Sequence, residues 1–114
     1  MRGIAESMRE LSRNRRFEVE LRLALRAGLS FDDWQHLSYL LAKYDALPEE
    51  YDEHELTDNW EGHWDCHLTG DLVVIYRRTA KKVTLVRIGT HAELFPHRKR
   101  PRRKRGIWGW LKGE

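Results

Sequence analysis

The sequence predicts an α+β fold: an N-terminal helical hairpin packed on a small, largely antiparallel sheet, followed by a basic C-terminal tail. Three observations carry this. Apolar residues recur at helical spacing in two successive segments before Pro48. Beyond Pro48 the pattern shifts to alternation, in short runs separated by turn residues. From His97 the chain is dominated by Lys and Arg, with little that a core would take.

Each element has its own warrant. Residues 1–11 are weakly patterned, with a short edge strand expected over 8–11. Ser12 or Asn14 can cap the first helix. In it Phe17, Leu21 and Leu25 step along one face, widened by Val19, Leu23 and Ala24. Gly28 ends it. Ser30 caps a second helix, with Asp32 and Asp33 in the first turn, where the helix dipole favours negative charge. Its apolar face runs through Phe31, Trp34, Leu37, Leu41 and Tyr44, extended by Leu40 and Ala42. Strands are expected over 54–57, 63–68, 71–78 and 82–88, with turns at Asp58-Asn59 and Ala80-Lys81.

The length of 114 residues favours one domain, assigned to 1–95, with 96–114 as a flexible tail containing Trp108 and Trp110. The net charge of +3 hides an asymmetry. Residues 96–114 hold eight Lys/Arg and one Glu, so the body carries a net charge of about −4 and does not by itself attract RNA over long range. The longest aliphatic-aromatic run, 72–76, is far short of the roughly 20 residues of a membrane-spanning helix. No secretion signal opens the chain, and the single Cys66 excludes an internal disulfide. A cytoplasmic protein without a membrane partner is expected.

His54, His67, Asp71, Arg87 and His91 fall along the expected strands and the loops that close them. RNA is cut without metal when a base removes the ribose 2′-hydroxyl proton, a cation stabilises the phosphate, and an acid protonates the departing 5′-oxygen. Histidine titrates near neutrality and serves either transfer. Arginine grips phosphate oxygens as a fork. In 63–68, alternation puts His63, Asp65 and His67 on one face and Trp64, Cys66 and Leu68 on the other. A three-residue loop Leu68-Thr69-Gly70 sets His67 opposite Asp71; a two-residue Thr69-Gly70 loop splits them onto opposite faces. Val83, Leu85 and Arg87 are expected to share a face, and Gly89 to turn the chain out of the strand so that His91 returns to the sheet. Each residue has a duller reading: surface histidines, a turn aspartate, a structural ion pair at Arg87, and Phe95 merely closing the core. A metal site of His63, Cys66, His67 and His91 conflicts with this alternation and with the absence of CxxC or HExxH spacing, so no cofactor is expected.

At these residues the chain resembles the YafQ group of the RelE/ParE toxin superfamily. The resemblance rests on Glu53-His54-Glu55-Leu56, Trp60-Glu61-Gly62, His67 to Asp71, Leu72 to Tyr76, and Arg87-Ile88-Gly89-Thr90-His91-Ala92-Glu93-Leu94-Phe95. It covers roughly residues 8–95 and implies a RelE-like fold. It also implies a ribosome-dependent mRNA endonuclease of a type II toxin-antitoxin system, which cuts mRNA in the ribosomal A site and is neutralised by a DinJ/RelB-type ribbon-helix-helix antitoxin. Carried over, His54, His67, Asp71 and His91 form the acid/base group, Arg87 is the phosphate partner, and Phe95 helps hold the mRNA or the site. Base and acid stay unassigned among them, with Asp71 or His54 preferred on the nucleophile side and His91 at the leaving oxygen. The tail residues Lys99, Arg100, Arg102 and Arg103 would add phosphate contacts, with tryptophan stacking beside them. The chain departs from the group at Gly70, usually Pro, and Leu72, usually Trp. The alternative is a binder on the same fold without nuclease activity, such as a gyrase inhibitor or an inactive relative that only pairs with an antitoxin.

Overall fold

A computed structural model describes residues 8–96. In chain order these form β1 (Glu10–Arg13), α1 (Arg15–Arg26), α2 (Phe31–Lys43), β2 (His54–Glu55), β3 (Trp64–His67), β4 (Leu72–Arg78), β5 (Lys82–Thr90) and α3 (His91–Leu94). Single 3-10 turns at Glu49–Tyr51 and Asp58–Trp60 flank β2. The five strands lie in the order β1-β5-β4-β3-β2. All neighbours are antiparallel except β1, which runs parallel to β5 with Glu10 opposite Lys82 and Arg13 opposite Leu85.

The helices start and stop where local chemistry dictates. The Asn14 side chain accepts from the Phe17 amide at 2.7 Å, and the Ser30 hydroxyl accepts from the Asp33 amide at 3.3 Å. Gly28, at φ +118°, ends α1 in a left-handed conformation that lets the Leu29 amide return to the Ala24 carbonyl. Phe17 and Leu21 of α1 and Trp34, Leu37 and Leu41 of α2 pack on one sheet face against Cys66, Val74, Tyr76, Val83, Leu85 and Ile88. Val19, Leu23 and Phe31, expected on apolar faces, are instead exposed. The stripe that meets the sheet is narrower than the stripe of apolar residues.

The first strand starts later than the expected 8–11. Arg9 fixes that start: its amide donates to the Ala42 carbonyl, and its guanidinium to the Tyr44 and Thr79 carbonyls and the Asp45 carboxylate. One buried cation thereby ties the end of α2 to the β4–β5 turn.

A smaller cluster covers the other sheet face: Leu56, Val73, Ile75, Leu94 and Phe95, with Trp60 and Val86 beside it. Glu53 anchors β2 from the helix side. Its carboxylate accepts from the Leu47 amide at 3.0 Å, the Arg78 guanidinium at 2.8 Å and the Tyr76 hydroxyl. The next residue, His54, is therefore presented to the opposite face. No helix among the described residues is long and apolar enough to cross a membrane.

Candidate active site

The face away from the helices carries the titratable side chains. In β3, Cys66 is buried in the helix-side core, with Trp64 packed beside it. Asp65 and His67, being out of phase with them, face the other way. His54 pairs with Asp65 in register, so it shares that face and sits one diagonal step from His67, roughly 7–8 Å by ordinary sheet geometry. The His54 Nδ1 lies 2.9 Å from the Asp52 carbonyl, which can only accept. Nδ1 therefore holds the proton, and Nε2 carries the lone pair of the neutral ring.

His91 reaches the same place from the end of β5. The capping box at Thr90 fixes its backbone: the Thr90 amide donates to the Glu93 carboxylate at 2.8 Å, and the Glu93 amide to the Thr90 hydroxyl at 3.2 Å. Its Nδ1 is 2.8 Å from Asp71 Oδ1, so the carboxylate fixes the tautomer and the ring plane. Its Nε2 is buried without a hydrogen-bond partner among the described residues. The His67 and His91 rings meet at 5.1 Å between centroids, edge to face. Phe95 lies 6.3 Å from the His91 ring and 6.4 Å from Trp60, and is 6% exposed. Trp60 in turn meets His63 edge to face at 5.3 Å.

The β3–β4 loop differs from both expected registers. Its three residues are Thr69, Gly70 and Asp71, with Leu68 bonded to Leu72 and His67 opposite Val73. Gly70 sits at φ +54°, and the Leu72 amide closes the turn on the Thr69 carbonyl at 2.9 Å. A proline could not adopt that φ. Asp71 therefore lies in the turn and meets His91 rather than facing His67. Leu72 packs toward the helix-side core.

Two further expectations are corrected in β5. The strand runs through Gly89 to Thr90, and Gly89 is not among the residues at positive φ. Its missing side chain leaves room for the capping box: a Cβ there would stand 2.9 Å from Glu93 Oε1 and 3.3 Å from Leu94 Cδ2, so the Glu93 carboxylate would have to move. A bulge between Leu85 and Arg87 also takes Arg87 off the face of Val83 and Leu85. Arg87 pairs with Ile75, completing a row His54, Asp65, Ile75, Arg87 across four strands. Its Nε and Nη2 fork onto Glu20 of α1 at 2.8–3.0 Å.

His54, His67, Asp71 and His91 are thus brought to one end of one sheet face, with Phe95 packed behind His91. Arg87 lies in the His54 row, two strands from His67, held by Glu20. Lys99, Arg100, Arg102 and Arg103 lie outside the described residues. Sequence reasoning did not single out Glu20, the Trp60–His63 stack or the fully buried Asp65. Alternation with His67 was the available signal for Asp65. Glu20 has no local signal, because its partner is 67 residues away.

Residues 9–96 match the family described as the bacterial toxin of type II toxin-antitoxin systems, YafQ. The mRNA interferase toxin YafQ of Escherichia coli strain B / BL21-DE3 is 32% identical over 88 residues, 76% of this chain and 96% of that relative. The crystal structure of YafQ from that strain superposes with a TM-score of 0.71 at 31% identity, over 76% of this chain and 98% of the other. The toxin in the E. coli DinJ–YafQ toxin-antitoxin complex gives 0.69 at 30%, over 77% and 98%.

Proposed function

Because the chain belongs to the YafQ family of type II toxin-antitoxin toxins, we propose that it is an mRNA endonuclease acting on the ribosome, in the A site. The observation that supports this most is the contact between the His67 and His91 rings, with Asp71 on Nδ1 of His91. A binder has no use for two apposed imidazoles and a carboxylate behind one of them.

The chemistry follows from the tautomers. The His54 Nε2 lone pair takes the proton of the ribose 2′-hydroxyl. The freed oxygen attacks the adjacent phosphorus, and the P–O5′ bond breaks. His91 acts as the imidazolium: its Nδ1–H stays on Asp71 while its Nε2–H passes to the departing 5′-oxygen, leaving the ring neutral. The upstream fragment is left with a 2′,3′-cyclic phosphate and the downstream one with a 5′-hydroxyl. His67, edge-on to His91, stands beside the phosphate and limits where the His91 ring can sit. Arg87 supplies charge to the phosphate, and Phe95 holds His91 from behind. These groups provide both proton transfers without a metal. Lys99, Arg100, Arg102 and Arg103 add phosphate contacts from the tail. The E. coli relative forms a complex with DinJ, and a DinJ-type antitoxin is the partner proposed to neutralise this chain.

Primer extension on mRNA with and without ribosomes tests the proposal. Wild type should stop extension within a codon only when ribosomes are present; His91→Ala should lower the rate about 10²–10⁴-fold, and His67→Ala should lower it too, through the lost placement of His91. Growth arrest that survives both substitutions with no new RNA ends would favour a binder on this fold.

A further inference from the structure

We propose that Glu20 is a positioning residue that presents Arg87 to an RNA phosphate; the inference rests on the nuclease reading above. Strand β1 ends at Arg13, opposite Leu85, so among the described residues the β5 edge beyond it has no strand neighbour. Glu20 of α1 takes that place. Its Oε1 accepts from the Ile88 amide at 3.1 Å, and its two oxygens accept from Nε at 3.0 Å each and from Nη2 at 2.8 Å. The backbone bond keeps the carboxylate from swinging, and the fork keeps the guanidinium plane from turning.

A guanidinium has five N–H donors. Nε and one Nη2 hydrogen are engaged. Nη1 makes no hydrogen bond among the described residues, and the Arg87 side chain is 13% exposed. The Nη1/Nη2 end is thus a complete second fork, of the shape that matches two phosphate oxygens. Because Glu20 offsets the charge of Arg87, the pair adds little long-range attraction for RNA. Its contribution is a fixed direction, which matters more in the transition state than in ground-state binding.

A merely structural ion pair would lower stability and leave the rate of the folded enzyme alone. Wild type, Glu20→Ala, Glu20→Gln, Arg87→Ala and the double variant Glu20→Ala/Arg87→Ala are compared for mRNA cleavage on programmed ribosomes, with a thermal melt of each. Glu20→Ala should lower kcat about tenfold to a hundredfold, with KM within about threefold of wild type. Glu20→Gln, which keeps an acceptor for the Ile88 amide, should fall between the two. In the Arg87→Ala background the loss of Glu20 should cost nothing more. Where Glu20→Ala does not fold, Glu20→Gln carries the same comparison. A folded Glu20 variant that cuts at the wild-type rate or faster, or whose loss persists undiminished without Arg87, overturns the proposal and leaves the nuclease reading standing. Failure of wild type to cut removes both.

Discussion

At the scale of single residues, the site depends on how closely α3 can approach β5. The capping box at Thr90 sets the His91 backbone, and its Glu93 carboxylate occupies space that a Cβ on residue 89 would contest at 2.9 Å. Gly89→Ala should push Glu93 out of the box. The stability cost is that of a missing cap, about 1 kcal/mol. The rate cost should be larger, more than about tenfold, because His91 loses its fixed place beside His67. A thermal melt and a cleavage assay on the same sample check this, and equal proportional losses would count against it. The sequence suggests that Gly89 turns the chain out of the strand; the strand instead runs through it, and its missing side chain is what matters. The neighbour that excludes a methyl group is Glu93, and it comes within reach only once the helix has formed. Arg87 is similar. A cation in an apolar strand signals a partner, but the partner and the side of the strand depend on α1 and on the bulge in β5.

At the scale of elements, β2 is two residues long, pairs with β3 and is backed by the Glu53 network just before it. Burial first, and then the charge of Glu53, push the Tyr76 phenol well above its ordinary value of 10.0. As pH rises, the unfolded chain therefore loses this proton before the folded one does. The stabilisation is whole below about pH 10 and declines as pH climbs from there toward the folded-state value. Urea unfolding should show a midpoint that drops above about pH 10, and Tyr76→Phe should flatten that drop. An unchanged alkaline slope in Tyr76→Phe would show that other groups set it. Helix boundaries were readable because caps are local: Asn14, Ser30 and Gly28 each act within a few residues. The β3–β4 register was not, because Gly70 adopts a positive φ that moves the pairing and carries Asp71 into the turn. The parallel pairing of β1 with β5 joins segments about 70 residues apart and leaves no local mark.

At the scale of the whole molecule, charge is the unusual feature. Residues 44–76 contain ten Asp and Glu and no Lys or Arg, and they include β2, β3 and the Asp71 turn. For the RNA substrate proposed above, this acidic run is charge of the wrong sign, and the basic segment 97–105, which begins two residues after Phe95, carries the opposite sign. Deleting 97–114 should weaken ribosome binding and flatten its salt dependence, by about 0.7–0.9 in log–log slope for each phosphate that the tail no longer neutralises. Binding that is unchanged across a salt series would remove the tail from the mechanism.

The proton route itself is tested most directly by the substrate. An mRNA carrying a single 2′-deoxy nucleotide at the cleavage position, loaded on ribosomes with the toxin, should resist cutting at that position while an all-ribose control is cut to a 2′,3′-cyclic phosphate end. Cleavage of the deoxy position at the control rate would mean that the imidazoles of His54, His67 and His91 do not work through the 2′-hydroxyl, and the account would be wrong at its centre.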